Sequence, residues 1–399
     1  MKKAEVMFIS AALLLFVSAG VCLCDTFINN QTKETLHGYA TSKTEAALTI
    51  VRTQEKGPVK LNLNEWTITR DRSGRNNKVI VLPVDDDIMR EIETAAFEQE
   101  ITADADEGPM LLLVEIDTPG GRVDLAQRMC ATITKTTNCD VIAYIKGGPH
   151  GGAISAGSAV ALACNKIYMA NNTVIGAATL LTVTRTNDQN DKPKYSVSIQ
   201  EKSNSMWRAY LASLAQQNNR PGLMARAMVD RSIAVIEVNQ GGKRDFIDPV
   251  NKKPEQQVIR TWNKSGYLLT LTAQEAVDCT IADGLANSRQ ELLQKMGLND
   301  ANVVVDKKMA NARKELEIAD RKFDEIRKSL DMKIKQSQNP QTAAKALSIL
   351  RGARSDFETL IFMAKKYPDM NLDVAKLESE LNSVNAAYEK VTAETKNRR

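Results

Sequence analysis

Two short stretches of the chain hold residues whose types and spacing suit attack on a carbonyl carbon. Residues 115–124 read EIDTPGGRVD, and residues 150–159 read HGGAISAGSA. Glycines at 120 and 121 let main-chain N–H groups approach a bound atom with no Cβ in the way. Ser155 opens a helix, where unpaired N–H groups and the positive end of the helix dipole favour developing negative charge. A serine so placed beside a Gly-Gly turn is suited to acyl transfer, as a nucleophile facing an oxyanion site. The same residues also fit a plain turn between strand and helix, with Ser155 as its N-cap. On residue types alone both readings stand.

A serine nucleophile needs a base, and the chain has two histidines. His150 precedes Ser155 on the same loop, and a histidine so close in sequence seldom reaches its serine's Oγ. His37 falls in a different domain and reads as a surface residue. A lysine serves instead if burial lowers its pKa from ~10.4 towards about 7 or 8. The lysines that follow are Lys166, Lys192, Lys194 and Lys202. Lys166 begins a strand, and Lys192 and Lys194 flank Pro193 in a polar loop. Lys202 stands at the start of the helix SNSMWRAYLASLAQQ, whose apolar face packs on the core, and is the best placed.

Both stretches need a scaffold that brings loops together. Over residues 78 to about 300, short β-type runs (KVIVLPV, MLLLVEI, DVIAYI, KIYMA) alternate with segments of helical spacing (DDIMREIETAAFEQE, RVDLAQRMCATITKT, ISAGSAVALA, SMWRAYLASLAQQ). The alternation predicts an α/β unit with mainly parallel strands. In such sheets ligands gather beyond the carboxyl ends of the strands, where both loops fall. Residues 229–268 read as strands around a polar turn, which either wall a groove or extend the sheet.

The flanks differ. Residues 25–77 carry AALTIVRT and VKLNLNEWTIT between turn-forming stretches, a small β module. Over residues 301–399, Met309, Ala312, Leu316, Ala319, Phe323, Ile326 and Leu330 recur at steps of three and four, a heptad seam. Breaks at Asn339-Pro340 and Pro368 give three helical stretches in all. A helical hairpin or short coiled coil is expected there, with a core over residues 78–300 that folds without it.

Residues 1–24 have the charge-then-apolar order of a secretory signal, with an uncleaved anchor as the alternative. Either way the lysines stay inside and the body is exported. Cys22 and Cys24 do not suit lipid attachment, because Val21 or Leu23 would precede the modified cysteine. Cys130, Cys139, Cys164 and Cys279 read as isolated buried thiols, and with so few histidines no metal site is expected. A charged fraction of 26% and a net charge of +4 are ordinary for a soluble protein. Without an aromatic-basic cluster they point away from nucleic acid as a partner.

The motifs LLLVEIDTPGGRVD, GGAISAGSAVAL, YMANNTVIGAAT, AYLASLAQ and LTLTAQEAVDCTIADGLA, in that order, resemble the NfeD family of membrane-associated serine proteases with the ClpP/crotonase-type fold. Signal peptide peptidase A and the Clp protease subunit are more distant relatives. The resemblance covers residues 78 to about 300 and implies that Ser155, before Ala-Gly, is the nucleophile. The family's lysine stands seven residues ahead of an Ala-Tyr-(Ile/Leu)-x-Ser-Leu-Ala stretch, and counting back from Ala209 gives Lys202. The resemblance further implies an oxyanion hole from the N–H groups of Gly120 and Ala156, substrate contacts at Gly121 and Gly176, and no cofactor. Proteins of this fold commonly assemble, so a homo-oligomer is expected. Many relatives continue into membrane spans and a small β-barrel, where this sequence carries a leading β module and a trailing helical region. The loop before Ser155 is also about a residue longer than the usual pattern and holds His150.

The expectation is an exported, ATP-independent serine endopeptidase with a Ser-Lys dyad, in the periplasm or on the outer face of the cytoplasmic membrane. The N-terminal segment is its route to the membrane, and its substrates are peptides or proteins with apolar segments. Two other readings remain. One is an acyl-CoA enzyme of the crotonase superfamily, which shares the fold and oxyanion hole without a serine–lysine pair. The other is a catalytically inactive scaffold of the same fold.

Overall fold

A computed structural model describes residues 25–45, 48–53, 55–62, 64–69, 76–180, 197–298 and 301–397. The N-terminal segment with Cys22 and Cys24, and the loop lysines Lys192 and Lys194, lie outside the described residues. The chain divides into two units, Met1–Asn76 and Asn77–Arg399.

In the first unit, β1 (Asp25–Asn29), β2 (Thr35–Glu45), β3 (Leu48–Thr53), β4 (Gly57–Asn62) and β5 (Trp66–Thr69) form one antiparallel sheet in the order β4-β3-β2-β1-β5. Phe27, Leu36, Val51 and Leu61 are its buried apolar cluster. His37 pairs through Nδ1 with Glu55, 2.6 Å away, on a partly exposed face.

The second unit starts with β6 (Asn76–Val84), α1 (Glu91–Asp106), β7 (Pro109–Ile116), α2 (Val123–Lys135), β8 (Val141–Ile145), β9 (Gly152–Ile154), α3 (Ala156–Ala163), β10 (Lys166–Met169) and β11 (Val174–Gly176). It continues through α4 (Val197–Gln217), α5 (Gly222–Val229), β12 (Val235–Gln240), β13 (Lys243–Ile247), β14 (Gln257–Asn263), β15 (Thr270–Thr272), α6 (Ala273–Asp278), β16 (Gly284–Leu285) and α7 (Arg289–Lys295). Last come β17 (Asn302–Val305) and three long helices, α8 (Lys308–Gln338), α9 (Ala343–Lys366) and α10 (Val374–Asn397).

The main sheet has six strands in the order β16-β10-β8-β7-β6-β17. The pairs β16/β10, β10/β8, β8/β7 and β6/β17 are parallel. Parallel strands covered on both faces read as unbroken apolar runs, and β7 shows why. Its Leu112, Val114 and Ile116 join the large core beneath α2 and α3, while Leu111 and Leu113 join a second cluster with Leu292 and Leu293 of α7. In α2, Leu125, Ala126, Met129, Cys130 and Ile133 are buried, one stripe of the helix. A smaller sheet, β15-β11-β9, carries the loops of interest. Residues from 235 to 263 form a separate antiparallel sheet, β13-β12-β14, and do not extend the main one.

The C-terminal region is less separable than its heptad seam suggests. The strand β17 adds in parallel to β6 at the edge of the main sheet, with Val303 against Val79 and Val305 against Val81. Leu316, Ala319 and Leu330 of α8 are buried, and Phe323 and Ile326 pack with them against α9 and α10. Met309 packs on the main core instead. A boundary at residue 300 therefore cuts through a sheet, because four residues, Asn302–Val305, were too short a run to announce a strand.

At this seam Glu100, Asp104 and Asp306 converge, with carboxylate oxygens within 4.8 Å of one another. Lys308 donates to Glu100, whose side chain is buried. Burial raises the Glu100 carboxyl to about 7, Asp306 adding to the rise and the Lys308 ammonium opposing it. Burial and the charge of Asp306 raise Asp104 to about 6. The four described cysteines are buried, and burial pushes the thiols of Cys164 and Cys279 up to about 12, out of reach of nucleophilic use at neutral pH. Among the described residues no helix is long and apolar enough to cross a membrane.

Removing residues 303–399 is expected to strip the edge of β6 and leave the second unit poorly soluble, as judged by soluble yield and circular dichroism against the full chain. Recovery of a folded, soluble truncation would show that the sheet closes without β17. A carboxyl whose proton affinity is raised on folding stabilises the fold while protonated, and that contribution is lost as pH rises through its folded value. The melting temperature should accordingly fall between about pH 5 and pH 8, and Glu100→Gln should flatten that fall. An equal slope in the variant would remove Glu100 as its source.

Candidate active site

Ser155 is the single residue between β9 and α3, and its backbone adopts φ 55° and ψ −121°. A non-glycine residue at positive φ costs on the order of 1–3 kcal/mol and persists only where its surroundings over-determine it. Those surroundings are specific. Ser155 N–H donates to Gly176 O at 2.9 Å, and Ile154 N–H donates to Thr118 O at 3.1 Å. Beneath the corner lies Ser158, fully buried, its Oγ 2.8 Å from Ala153 O and 3.0 Å from Gly176 O, accepting Gly176 N–H at 3.0 Å. One hydroxyl thus ties β9 and β11 to the first turn of α3.

The Ser155 side chain makes no capping bond to α3, which removes the N-cap reading. Its Oγ has no hydrogen-bond partner among the described residues, while all eight residues of α3 behind it are buried. The hydroxyl stands alone at a strained corner.

The Gly-Gly turn lies against it. A Cβ on Gly120 would sit 2.5 Å from Ser155 Cβ and 3.0 Å from Ala156 N, so only glycine, here at φ +103°, allows this approach. A Cβ on Gly121 would sit 2.3 Å from Ile88 O. Gly120 N–H is already given to Thr118 Oγ1 at 3.1 Å. The N–H groups of Gly121 and Ala156 have no partner among the described residues. Thr118 thus engages the Gly120 amide within its own loop.

Gly176 has neither main-chain group to spare, since its N–H goes to Ser158 and its C=O to Ser155. It supports the corner from behind. Asp117, buried, accepts His150 N–H at 3.2 Å through Oδ2 and Gly152 N–H at 3.1 Å through Oδ1, which fixes the glycine-rich loop before Ser155. No hydrogen bond joins His150 to Ser155.

Lys202 lies within α4, which already runs from Val197, earlier than the sequence pattern suggests. Its side chain is exposed and makes no hydrogen bond to Ser155. Helix α4 is nevertheless anchored close to the corner. Trp207 Nε1–H donates to Ala178 O at 2.8 Å, two residues beyond Gly176, and Arg208 pairs with Asp230. Lys202 is five residues ahead of Trp207, about 7.5 Å along the helix axis. Lys166 is exposed at the start of β10.

Thr118, Asp117, Ser158 and Ile88 were not singled out by sequence. Two of them adjoin the Pro-Gly-Gly turn, and Ser158 is the lone polar residue inside AGSAVALA, which was the available signal.

Residues 78–253 match the family described as NfeD1b, N-terminal domain. The chain is 28% identical over 226 residues to membrane protein NfeD1b of Bacillus subtilis, covering 56% of this chain and 42% of that protein. It is 29% identical over 140 residues to the membrane-bound protease PH1510 of Pyrococcus horikoshii, covering 35% of this chain and 30% of that protein. The chain therefore spans less than half the length of these curated relatives. A solved structure of the 1510-N membrane-bound stomatin-specific protease, in complex with a substrate peptide, is 24% identical with a TM-score of 0.41, covering 58% of this chain and 91% of that one. The likeness is to the NfeD1b N-terminal domain, and residues 78–253 carry it.

Proposed function

We propose that the protein is a serine endopeptidase in which Ser155 attacks a peptide carbonyl and Lys202 is the base. The observation that carries this reading is the Oγ of Ser155, unbonded among the described residues, at a positive-φ corner against the turn of Gly120 and Gly121, with the N–H groups of Gly121 and Ala156 also without a partner among them. Similarity to a protein named as a membrane-bound protease supports it.

In the proposed mechanism Ser155 Oγ bonds to the carbonyl carbon as its proton passes to Lys202 Nζ. The carbonyl oxygen becomes an oxyanion held by the N–H groups of Ala156 and Gly121, preorganised at a helix start and a glycine turn. Lys202 then delivers the proton to the leaving amine as the C–N bond breaks, and water repeats the sequence on the acyl-enzyme. Lys202 has to move onto Ser155 for this, and catalytic hydrogen bonds commonly form only in the substrate complex. Gly120 contributes clearance, with Thr118 orienting it, and Gly176 positions Ser155 from behind. No step calls for a cofactor or for ATP.

The substrates we propose are apolar segments of membrane-associated or exported proteins, reached in extended form. The two relatives named as membrane proteins and the apolar run within residues 1–24 support attachment at the outer face of the cytoplasmic membrane. Assembly of several copies would restrict access to an otherwise indiscriminate site.

A serine-directed fluorophosphonate should label Ser155, and labelling of the wild type but not Ser155→Ala separates a peptidase from an acyl-CoA enzyme or a scaffold. On apolar peptides, Ser155→Ala and Lys202→Ala should each lower kcat/KM by roughly 1,000-fold or more, and the double variant hardly further, because the pair acts as a unit. His150→Ala should keep substantial activity. Equal damage from His150→Ala and Lys202→Ala would make His150 the base. A lysine works as a base only when neutral, so the rate should climb from roughly pH 6 to pH 9. A profile already flat at the acid end would exclude Lys202.

A further inference from the structure

We propose that the C-terminal helices position the oxyanion loop, with Arg313 and Asp369 as the positioning residues. The proposal rests on the reading of Ser155 given above. Between the helices and the loop stands one segment, residues 86–93, which the tail grips on one side and the loop hangs from on the other.

The tail's grip is made of charge-assisted hydrogen bonds. Helix α1 has Arg90 at its N-cap position, which offers no side-chain cap. Asp369, in the turn between α9 and α10, supplies the cap from across the fold, accepting Glu91 N–H at 2.6 Å and Ile92 N–H at 2.9 Å. Arg313 of α8 holds the Glu93 carboxylate with two parallel bonds of 2.9 and 2.8 Å and reaches Asp86 at 3.0 Å. The Glu93 side chain is only 5% exposed, so solvent does little to screen that pair.

The loop depends on the same segment. Thr118 Oγ1 donates to Asp86 O at 2.6 Å and accepts Gly120 N–H at 3.1 Å. Ile88 N–H donates to Gly120 O and Arg122 N–H donates to Ile88 O, each at 2.8 Å. The Arg122 guanidinium closes the ring on Glu91 at 2.9 Å. Gly121 packs so closely on the Ile88 carbonyl that there is no slack between them. A movement of residues 86–93 therefore moves the Gly121 N–H. An oxyanion donor acts on the transition state more than on the bound substrate, so its displacement lowers kcat with little change in KM.

The test uses the full-length protein with Arg313→Ala, Asp369→Ala and the conservative Asp369→Asn, which keeps a capping oxygen. Two quantities are read: backbone amide hydrogen exchange, and the rate of fluorophosphonate labelling with kcat and KM on a small ester. Both alanine variants should speed exchange of the Ile88 and Arg122 amides and slow labelling and kcat by roughly tenfold or more. KM should hold, and Asp369→Asn, which keeps one of the two accepting oxygens, should restore part of the loss. If exchange rises over residues 86–93 but not over 117–122, the coupling does not exist. If it rises equally in β12 to β14, far from the contact, the tail merely stabilises the whole unit and the proposal fails. A wild type that never labels would end the serine reading, while the exchange data would still decide the coupling.

Discussion

Two pieces of backbone converge on Gly120 and Gly121 with no space for a side chain between them. Ile88 lies on one side and Ser155 with Ala156 on the other. Packing of this closeness is a constraint on the rest of the unit. The strand ends of β6, β7 and β9 must arrive at one level, and the helices behind them must be held at fixed depth. A parallel sheet covered on both faces supplies that rigidity, since each strand is locked by side chains above and below.

The same constraint explains why the described polar groups in this region are engaged nearly everywhere except at Ser155, Gly121 and Ala156. Ser158, Thr118 and Asp117 spend their oxygens on neighbouring main chain. What they leave over is the Ser155 hydroxyl and two amides. Ser155 and Gly121 are partly exposed, so these groups are open to solvent or to a ligand. Sites of that kind are where function is to be sought.

Much of this could be read from the sequence, for identifiable reasons. The alternation of β-type runs and helical segments was visible because the strands are short apolar runs and helices such as α2 are amphipathic, as in Leu111 to Ile116 and Leu125 to Ile133. Ser155 and the glycine pair were visible because their types are unusual at strand ends. The engagement of the Gly120 amide by Thr118 was not, since it turns on where one threonine hydroxyl points. The true start of α4 was hidden because VSIQEK, with β-branched Val197 and Ile199 and serines beside them, carries a weak helical pattern. Ile88 holds the glycine turn through its backbone, which its identity as a buried core residue does not advertise. The cap on α1 was beyond reach of any local pattern, because its acceptor, Asp369, lies 278 residues away.

That separation has a consequence for how the chain comes to its folded form. The cap of α1 and the outer neighbour of β6 are both supplied by the last quarter of the sequence, β17 and the turn at Asp369. As the chain emerges in order from its N-terminus, β6 must wait with an open edge until β17 follows, and open parallel edges invite pairing with other chains. Contacts of such long sequence separation also form slowly, because the loop they close is costly in entropy. The start of α1 and the outer edge of β6 can take up their final contacts only near the end of synthesis. A nascent chain is thus without the cap of α1 until it is nearly whole.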